Sequence, residues 1–300
     1  MYNSLKSKCT WIITGLMLSV IYPSLVYGKA LRSPVQSGDS IIIAKGDIPT
    51  PEKYKDAVQK YQVFVDAELA DMVVQLESLQ NNIQSGKLSK ARAAYISAHQ
   101  HYEAVRPVIM LFGNTDRVIN PEAYYFPDKE KDYRFTGFHL VEYYLFMQEN
   151  QQAALAAASD LLVKGRDLYN RVSGETIEFP KLVQASVDFI EMILETKLAG
   201  KENIYSQSDL ADIASDLRGS QKIIGITGPF IGHDMTGKIK ENNQRINDIL
   251  KSYQLSENRY QPYSHLQNKD KMALYSLLSY QSEILAGLRA RLDVDVYYKY

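Results

Sequence analysis

The chain has 300 residues, 45% hydrophobic and 23% charged, with 34 basic against 35 acidic side chains and a net charge of −1. This length and apolar content allow a substantial core in one or two domains. The near-even charge balance excludes the electrostatic footprint of a protein that binds nucleic acid or an anionic membrane surface.

The first 28 residues stand apart from the rest. Lys6 and Lys8 make a basic start, Trp11 to Val20 an apolar run, and Val26-Tyr27-Gly28 place branched or small residues at the −3 and −1 positions of a cleavage site. The pattern predicts a secretory signal peptide over residues 1–28, cut after Gly28, with an uncleaved anchor as the alternative, since the run is short for a spanning helix. Cys9, the single cysteine, lies inside this segment. A mature chain starting at residue 29 has no thiol, so any metal site must use His, carboxylate or phenol groups. The expected location is the periplasm. Residues 29–50 form a lead segment to which the sequence assigns no role.

From Pro51 the pattern becomes helical. Tyr54, Val58, Tyr61, Val65, Leu69, Met72, Val73, Leu76 and Leu79 recur at steps of three and four, and Ser85-Gly86 closes the helix. A second helix is expected from about Leu88 to Met110, antiparallel to the first because the turn is short. A loop rich in Asn, Asp, Pro and Tyr follows, from Asn114 to Arg134, and loops of that length in compact helical proteins are more often functional than idle. After the helix bearing His139 come helical patterns at 151–171, 181–199, 207–225, 235–254 and 268–293, with breaks at Ser173-Gly174, Ala199-Gly200, Gly228-Pro229 and Pro262. No run shows strand alternation flanked by hairpin turns. The predicted fold is all-α, built of antiparallel helices with enough of them for two bundles in one domain, 51–300.

Two helices each carry a His and a carboxylate at helical spacing: His99 with Glu103, and His139 with Glu142 in Thr136-Gly137-Phe138-His139-Leu140-Val141-Glu142. Residues three or four apart share a face, and bundles build metal sites from such pairs on facing helices. The bland alternative is a solvated Glu103 and a core His99 packed among tyrosines. His101 points to the other side of its helix and is expected to be exposed, while His233 and His265 have no acid at helical spacing. Phosphate-binding Gly loops, the H-E-x-x-H helix and the G-x-S-x-G elbow are missing from the sequence. Many of the 22 tyrosines crowd near the candidate site, at Tyr102, Tyr124, Tyr125, Tyr133, Tyr143 and Tyr144. Most of these read as ordinary amphipathic packing residues.

Ala94 to Glu103, then Pro107, Phe112-Gly113 and Phe135 to Glu142, together resemble the imelysin-like periplasmic proteins of the EfeO/EfeM type, components of a bacterial iron-uptake system. Lys197 to Glu202, Tyr205-Ser206, Asp209-Leu210 and, more loosely, Tyr263 to Leu292 are similar to later segments of the same family. The resemblance implies a pair of antiparallel four-helix bundles and a metal site at the G-x-H-x-x-E helix, with His139, Glu142, Glu103 and Glu202 as the candidate ligands. Iron, as Fe2+ or Fe3+, is the implied metal, with zinc or another divalent ion as the alternative. The implied partners are a membrane iron permease and a periplasmic haem peroxidase. Two positions depart from the family pattern: Arg106 and Asn120 stand where acids are often found. Losing two carboxylates and gaining a guanidinium weakens attraction for a hard cation. Two other readings stay open, an imelysin-type metallopeptidase with Glu142 as general base, and a metal-free module that binds a polysaccharide or partner through the tyrosine-rich loop.

Overall fold

The apolar stripe that begins at Tyr54 folds as α1 (Lys55–Gln84) in the computed structural model, which describes residues 50–292 and 294. The expected signal peptide and the lead segment up to residue 49 lie outside the described residues. Tyr61, Val65, Leu69, Met72, Leu76, Leu79 and Ile83 of the stripe are fully buried. Gly86 closes the helix in the left-handed region at φ 69°, where its N–H bonds Ile83 O while Lys87 N–H bonds Asn82 O at 2.8 Å. This is the paired capping pattern that satisfies the last helical carbonyls.

α2 (Leu88–Glu103) returns beside α1. It ends earlier than its sequence pattern predicts, because Val105 leaves the helical region at φ −129° ahead of α3 (Arg106–Ile109), whose second residue is Pro107. Pro107 has no N–H to donate to Glu103 O and its ring crowds that carbonyl, so α2 cannot run on through it. The expected loop holds α4 (Thr115–Ile119) and two single 3-10 turns, Ala123–Tyr125 and Lys129–Lys131. α5 (Gly137–Glu142) carries the His139 motif and runs on as a π-helical turn, Tyr143–Met147. α6 (Gln151–Ser173) is capped by Asn150, whose side chain accepts from Ala153 N–H at 3.0 Å.

α1, α2, α5 with its π extension, and α6 form one bundle. α7 (Phe179–Met192), α8 (Asp209–Ile231), α9 (His233–Lys251) and α10 (Asn268–Ala286) form the second, and α11 (Leu288–Leu292) packs on α7 and α8. α7 also ends in a π-helical turn, Ile193–Lys197. The all-α pair of bundles expected from the sequence is the architecture found. α2 packs against α8 between the bundles, and a Cβ on Gly219 would collide with Ala104 O.

Three local expectations change. α8 continues through Pro229 to Ile231, because a proline in the last exposed turn removes only one hydrogen bond, and the break comes at Gly232 with φ 83°. A short antiparallel ladder, β1 (Gln254–Ser256) with β2 (Arg259–Tyr260), forms around Asn258, whose φ of 56° closes a tight turn. His101 is half-buried rather than exposed, its Nδ1 lying 2.8 Å from Glu68 Oε2 of α1. Among the described residues no helix is long and apolar enough to cross a membrane.

Candidate metal centre

The seam between α2 and α8 is where the bundles bury polar groups. His99 and Glu103 of α2, His139 and Glu142 of α5, Lys197, Glu202, Asp212 and Asp216 are each at most 1% exposed. Burial of this many ionisable groups requires that they pair with one another.

Gly137 explains how α5 enters this seam. Its φ of 80° lies in the left-handed region and a Cβ there would collide with Ile119 O, so only glycine lets the start of α5 touch the end of α4. His139 is then held at both ring nitrogens. Nδ1 lies 2.9 Å from Glu142 Oε2, and Nε2 lies 3.3 Å from Glu122 Oε1. The second contact is poorly aligned and leaves Nε2 without a hydrogen-bond partner. Glu142 has no free oxygen: its Oε1 accepts from Tyr205 N–H at 3.2 Å, Ser206 N–H at 2.7 Å and the Ser206 hydroxyl at 2.8 Å. A carboxylate fixed in this way orients a histidine ring in the manner of an outer-shell partner.

His99 sits across from His139, with ring centroids 5.7 Å apart. Its Nε2 meets Asn120 Oδ1 at 3.1 Å and Glu103 Oε1 at 3.2 Å, and its Nδ1 lies 3.0 Å from Asp212 Oδ2. One ligand atom from each of His99, His139 and Glu202 lies within 4.8 Å of the other two, the only such grouping of three among the described residues. A cavity of about 160 Å³ has His139 and Glu202 in its wall, with Glu122, Tyr124, Phe135 and Tyr205 around them. The exposed Tyr124 marks its outer side.

Glu103 and Glu202, both expected as ligands, face two cations. Lys197 Nζ lies 2.8 Å from Glu103 Oε2 and 2.8 Å from Glu202 Oε2. Arg106 Nη1 donates to Glu103 Oε1 at 3.2 Å and to Glu202 Oε1, while its Nε donates to Asp116 Oδ1 at 2.8 Å. Asn120 Nδ2 donates to the same two oxygens, at 3.3 Å to Glu103 and 3.2 Å to Glu202. The result is a closed ring of alternating charge, Glu103, Lys197, Glu202, Arg106, bridged by an amide.

The electrostatics follow from burial and pairing. Burial opposes ionisation of Glu103 and Glu202, but Lys197 and Arg106 outweigh it and hold both carboxyls below their ordinary range. Burial would likewise lower His139, yet Glu122 and Glu142 raise it to about 9. His99 is lifted well above its ordinary value against burial by Asp212 and Glu103. Burial pushes Glu122 up to about 7, and pushes Asp216, which has no hydrogen bond at either oxygen, well above the carboxylate range.

Of the four residues singled out in the sequence, His139 and Glu202 are brought together with His99. Glu103 adjoins them through His99, and Glu142 stands behind His139. Sequence reasoning placed His99 on the right face but outside the ligand set, and it missed Lys197, Glu122, Asp212 and Asp216. A signal existed for the aspartates: Asp209, Asp212 and Asp216 are spaced like a core stripe along α8, interleaved with the buried Leu210, Ile213 and Leu217. Both π-helical turns adjoin the site, one following Glu142 and one ending on Lys197. Such turns are rare and gather at functional sites.

Comparison with known proteins adds relatives. Residues 57–273 match the profile of the family described as Imelysin. The chain is similar to the iron uptake system component EfeO of Shigella boydii, 29% identical over 284 residues covering 94% of this chain and 72% of that protein. The Escherichia coli protein of the same name gives the same figures, 29% over 94% of the chain and 72% of the relative. The Yersinia pseudotuberculosis EfeO is 31% identical over 241 residues, 79% of this chain and 64% of that protein.

Proposed function

Since the chain belongs to the imelysin family, we propose that it is a metal-binding component of an iron-uptake system, capturing the ion between its two bundles and passing it to a membrane permease. The names of the EfeO relatives support the system. The observation that carries the ion-binding part is the meeting of His99, His139 and Glu202 within 4.8 Å beside a cavity. Two imidazoles and a carboxylate suit a first-row transition ion such as Fe2+, with Zn2+ as the competing occupant. Here the ion is cargo, and a carrier must bind it without locking it in. We place the protein in the periplasm, in keeping with the expected signal peptide, and infer a haem peroxidase as a further partner in the same system.

In this reading His99 and His139 supply nitrogen ligands, Glu202 and Glu103 supply oxygen, and Glu142 orients His139. Acidic neighbours favour the protonated form of both rings, so an ion competes with a proton for each nitrogen. A peptidase mechanism needs Glu142 as general base, and both its oxygens are already taken by His139, Tyr205 and Ser206. The test is iron and zinc binding by the purified metal-free protein beside His139→Ala. Wild type should take up close to one ion per chain and the variant should lose at least about tenfold in affinity, since outer-shell changes alone cost 10–100-fold. Equal binding by the two proteins would remove the metal reading.

One observation favours the polysaccharide or partner reading: a surface bowl of about 520 Å³ lined by Tyr133, Phe135, Tyr143 and Tyr144, with Gln148 and Thr136 at hand for hydroxyl groups. It adjoins the inner cavity through Glu130 and Phe135, which line both. Saturable oligosaccharide binding that Tyr143→Ala abolishes, in a protein that takes no metal, would establish it.

A further inference from the structure

The ring that closes the candidate centre contains one cation that is able to leave. Lys197 is fully buried between Glu103 and Glu202, with Asp216 at 3.9 Å, and has no route to water. Arg106 differs in three ways. Its side chain is 11% exposed, and it begins the four-residue α3, which lies beyond the backbone break at Val105. It also has an outer partner: Asp116, whose side chain is 17% exposed, accepts from Nε at 2.8 Å and faces Nη2 at 3.5 Å. Only Nη1 reaches inward, to Glu103 Oε1 and Glu202 Oε1. A modest rotation of the side chain would break the inner contacts and keep the outer ones.

Those two inner oxygens are the ones an ion would need. Glu202 Oε2 is already engaged by Lys197 at 2.8 Å and by the Thr196 hydroxyl at 2.8 Å, which leaves Oε1 for any ligand shared with His99 and His139. Glu103 Oε1 lies 3.2 Å from His99 Nε2. A guanidinium and a metal ion cannot both hold these oxygens, because each requires the same lone pairs and the charges repel.

We propose that Arg106 is a displaceable latch: an internal cation that occupies the Glu103–Glu202 carboxylate pair and swings out onto Asp116 when a small multivalent cation enters. The inference rests on the metal-binding reading above. It makes the affinity of this chain a difference between two cations competing for one carboxylate pair. The ring keeps the buried carboxylates compensated while no ion is present, so the site holds its shape between loads. Release is assisted in the same way, since the returning guanidinium replaces the departing ion. Asn120 fits the exchange, as its amide donates to both oxygens at 3.2 to 3.3 Å without adding a charge that would hold the ion.

The test uses the full mature chain, metal-free, titrated with Fe2+ under anaerobic conditions and separately with Zn2+. Wild type, Arg106→Gln, Arg106→Ala, Asp116→Asn and His139→Ala are compared, with circular dichroism confirming the fold. Arg106→Gln should bind about tenfold tighter or more at unchanged stoichiometry, a gain of about 1.4 kcal/mol or more. Asp116→Asn should bind several-fold more weakly, because the outer partner loses its negative charge and Arg106 is then held more strongly by the inner carboxylates. Arg106→Gln keeps an amide donor near the carboxylates, so it and Asp116→Asn carry the test if Arg106→Ala does not fold. Metal binding by wild type that is unchanged or weakened in Arg106→Gln would overturn the latch and leave the metal-binding function standing. Binding by Arg106→Gln with none by wild type would also overturn the latch, since Arg106 would then exclude the ion instead of giving way to it. Binding by no variant at all would overturn both.

Discussion

Between α1 and α6 the packing is apolar: Leu69, Met72, Leu76 and Leu79 are fully buried on α1, and Ala154, Ala158, Leu161 and Leu168 on α6 are at most 2% exposed. Between α2 and α8 the packing carries His99, Glu103, Asp212 and Asp216 at similar burial, with Lys197 among them. In the first seam the ions stay outside, as with Arg166 and Glu77, which pair at 2.6 Å with both side chains about half exposed. Burial is comparable in the two places, but its cost is met differently. Apolar contacts stabilise one by one and tolerate independent changes, whereas a buried ring of charges is stable only while every member has its counterpart.

That difference sets the size and the additivity of mutational effects. The largest is expected at Lys197. Lys197→Met leaves Glu103 and Glu202 with Arg106 as their one cation, and should destabilise the protein by about 3–5 kcal/mol. Adding Glu103→Gln should restore part of this loss, and chemical denaturation of the single and double variants measures the coupling. If the two changes simply add, the ring does not act as a unit. A smaller and additive effect belongs to the apolar seam. A Cβ on Gly165 would sit 2.7 Å from Leu76 Cδ1, so Gly165→Ala overpacks the α1–α6 contact and should cost about 1–3 kcal/mol. Combined with Ile83→Val, about two turns further along α1, its cost should simply add.

A third effect separates the seams by pH. His139 has its folded value raised to about 9 from an ordinary 6.5. A raised histidine contributes stability that is complete below the unfolded value and is lost as pH climbs through the folded one. The metal-free protein should therefore lose about 2 kcal/mol between pH 7 and pH 9 from this residue, with His99 acting in the same direction. His139→Gln should flatten the fall, read as the melting temperature against pH, while Gly165→Ala should leave its slope unchanged. Parallel slopes for wild type and His139→Gln would show that His139 carries no such charge.

Much of the fold was legible along the chain because its signals are local. The stripe from Tyr54 to Leu79, the Ser85-Gly86 cap and the breaks at Gly174 and Gly200 each depend on residues within a turn or two of one another. Where local reading slipped, a specific competitor won: Pro107 cut the second helix after Glu103, and Pro229 was absorbed at the end of α8. Glu142 was visible as His139's partner at helical spacing. That its other oxygen is held by Tyr205 and Ser206 was not, since those residues lie more than sixty positions away.

The sequence by itself determined that this chain is all-α, that its helices pair into bundles, and that His139 and Glu142 share a face, because periodicity and capping act over a few residues. Only the tertiary structure decided which groups meet in the seam. Lys197 lies in the mixed stretch Leu194-Glu195-Thr196-Lys197-Leu198 and Asp216 on a core stripe, and neither position says that it will face Glu103. Arg106 and Asn120 stand out in the sequence as departures from the family pattern. Their contacts with Glu103 and Glu202 span up to 96 residues of chain. Such pairings are set by how two bundles pack, and that depends on Gly137 and Gly219 allowing backbones to touch at points no local pattern specifies.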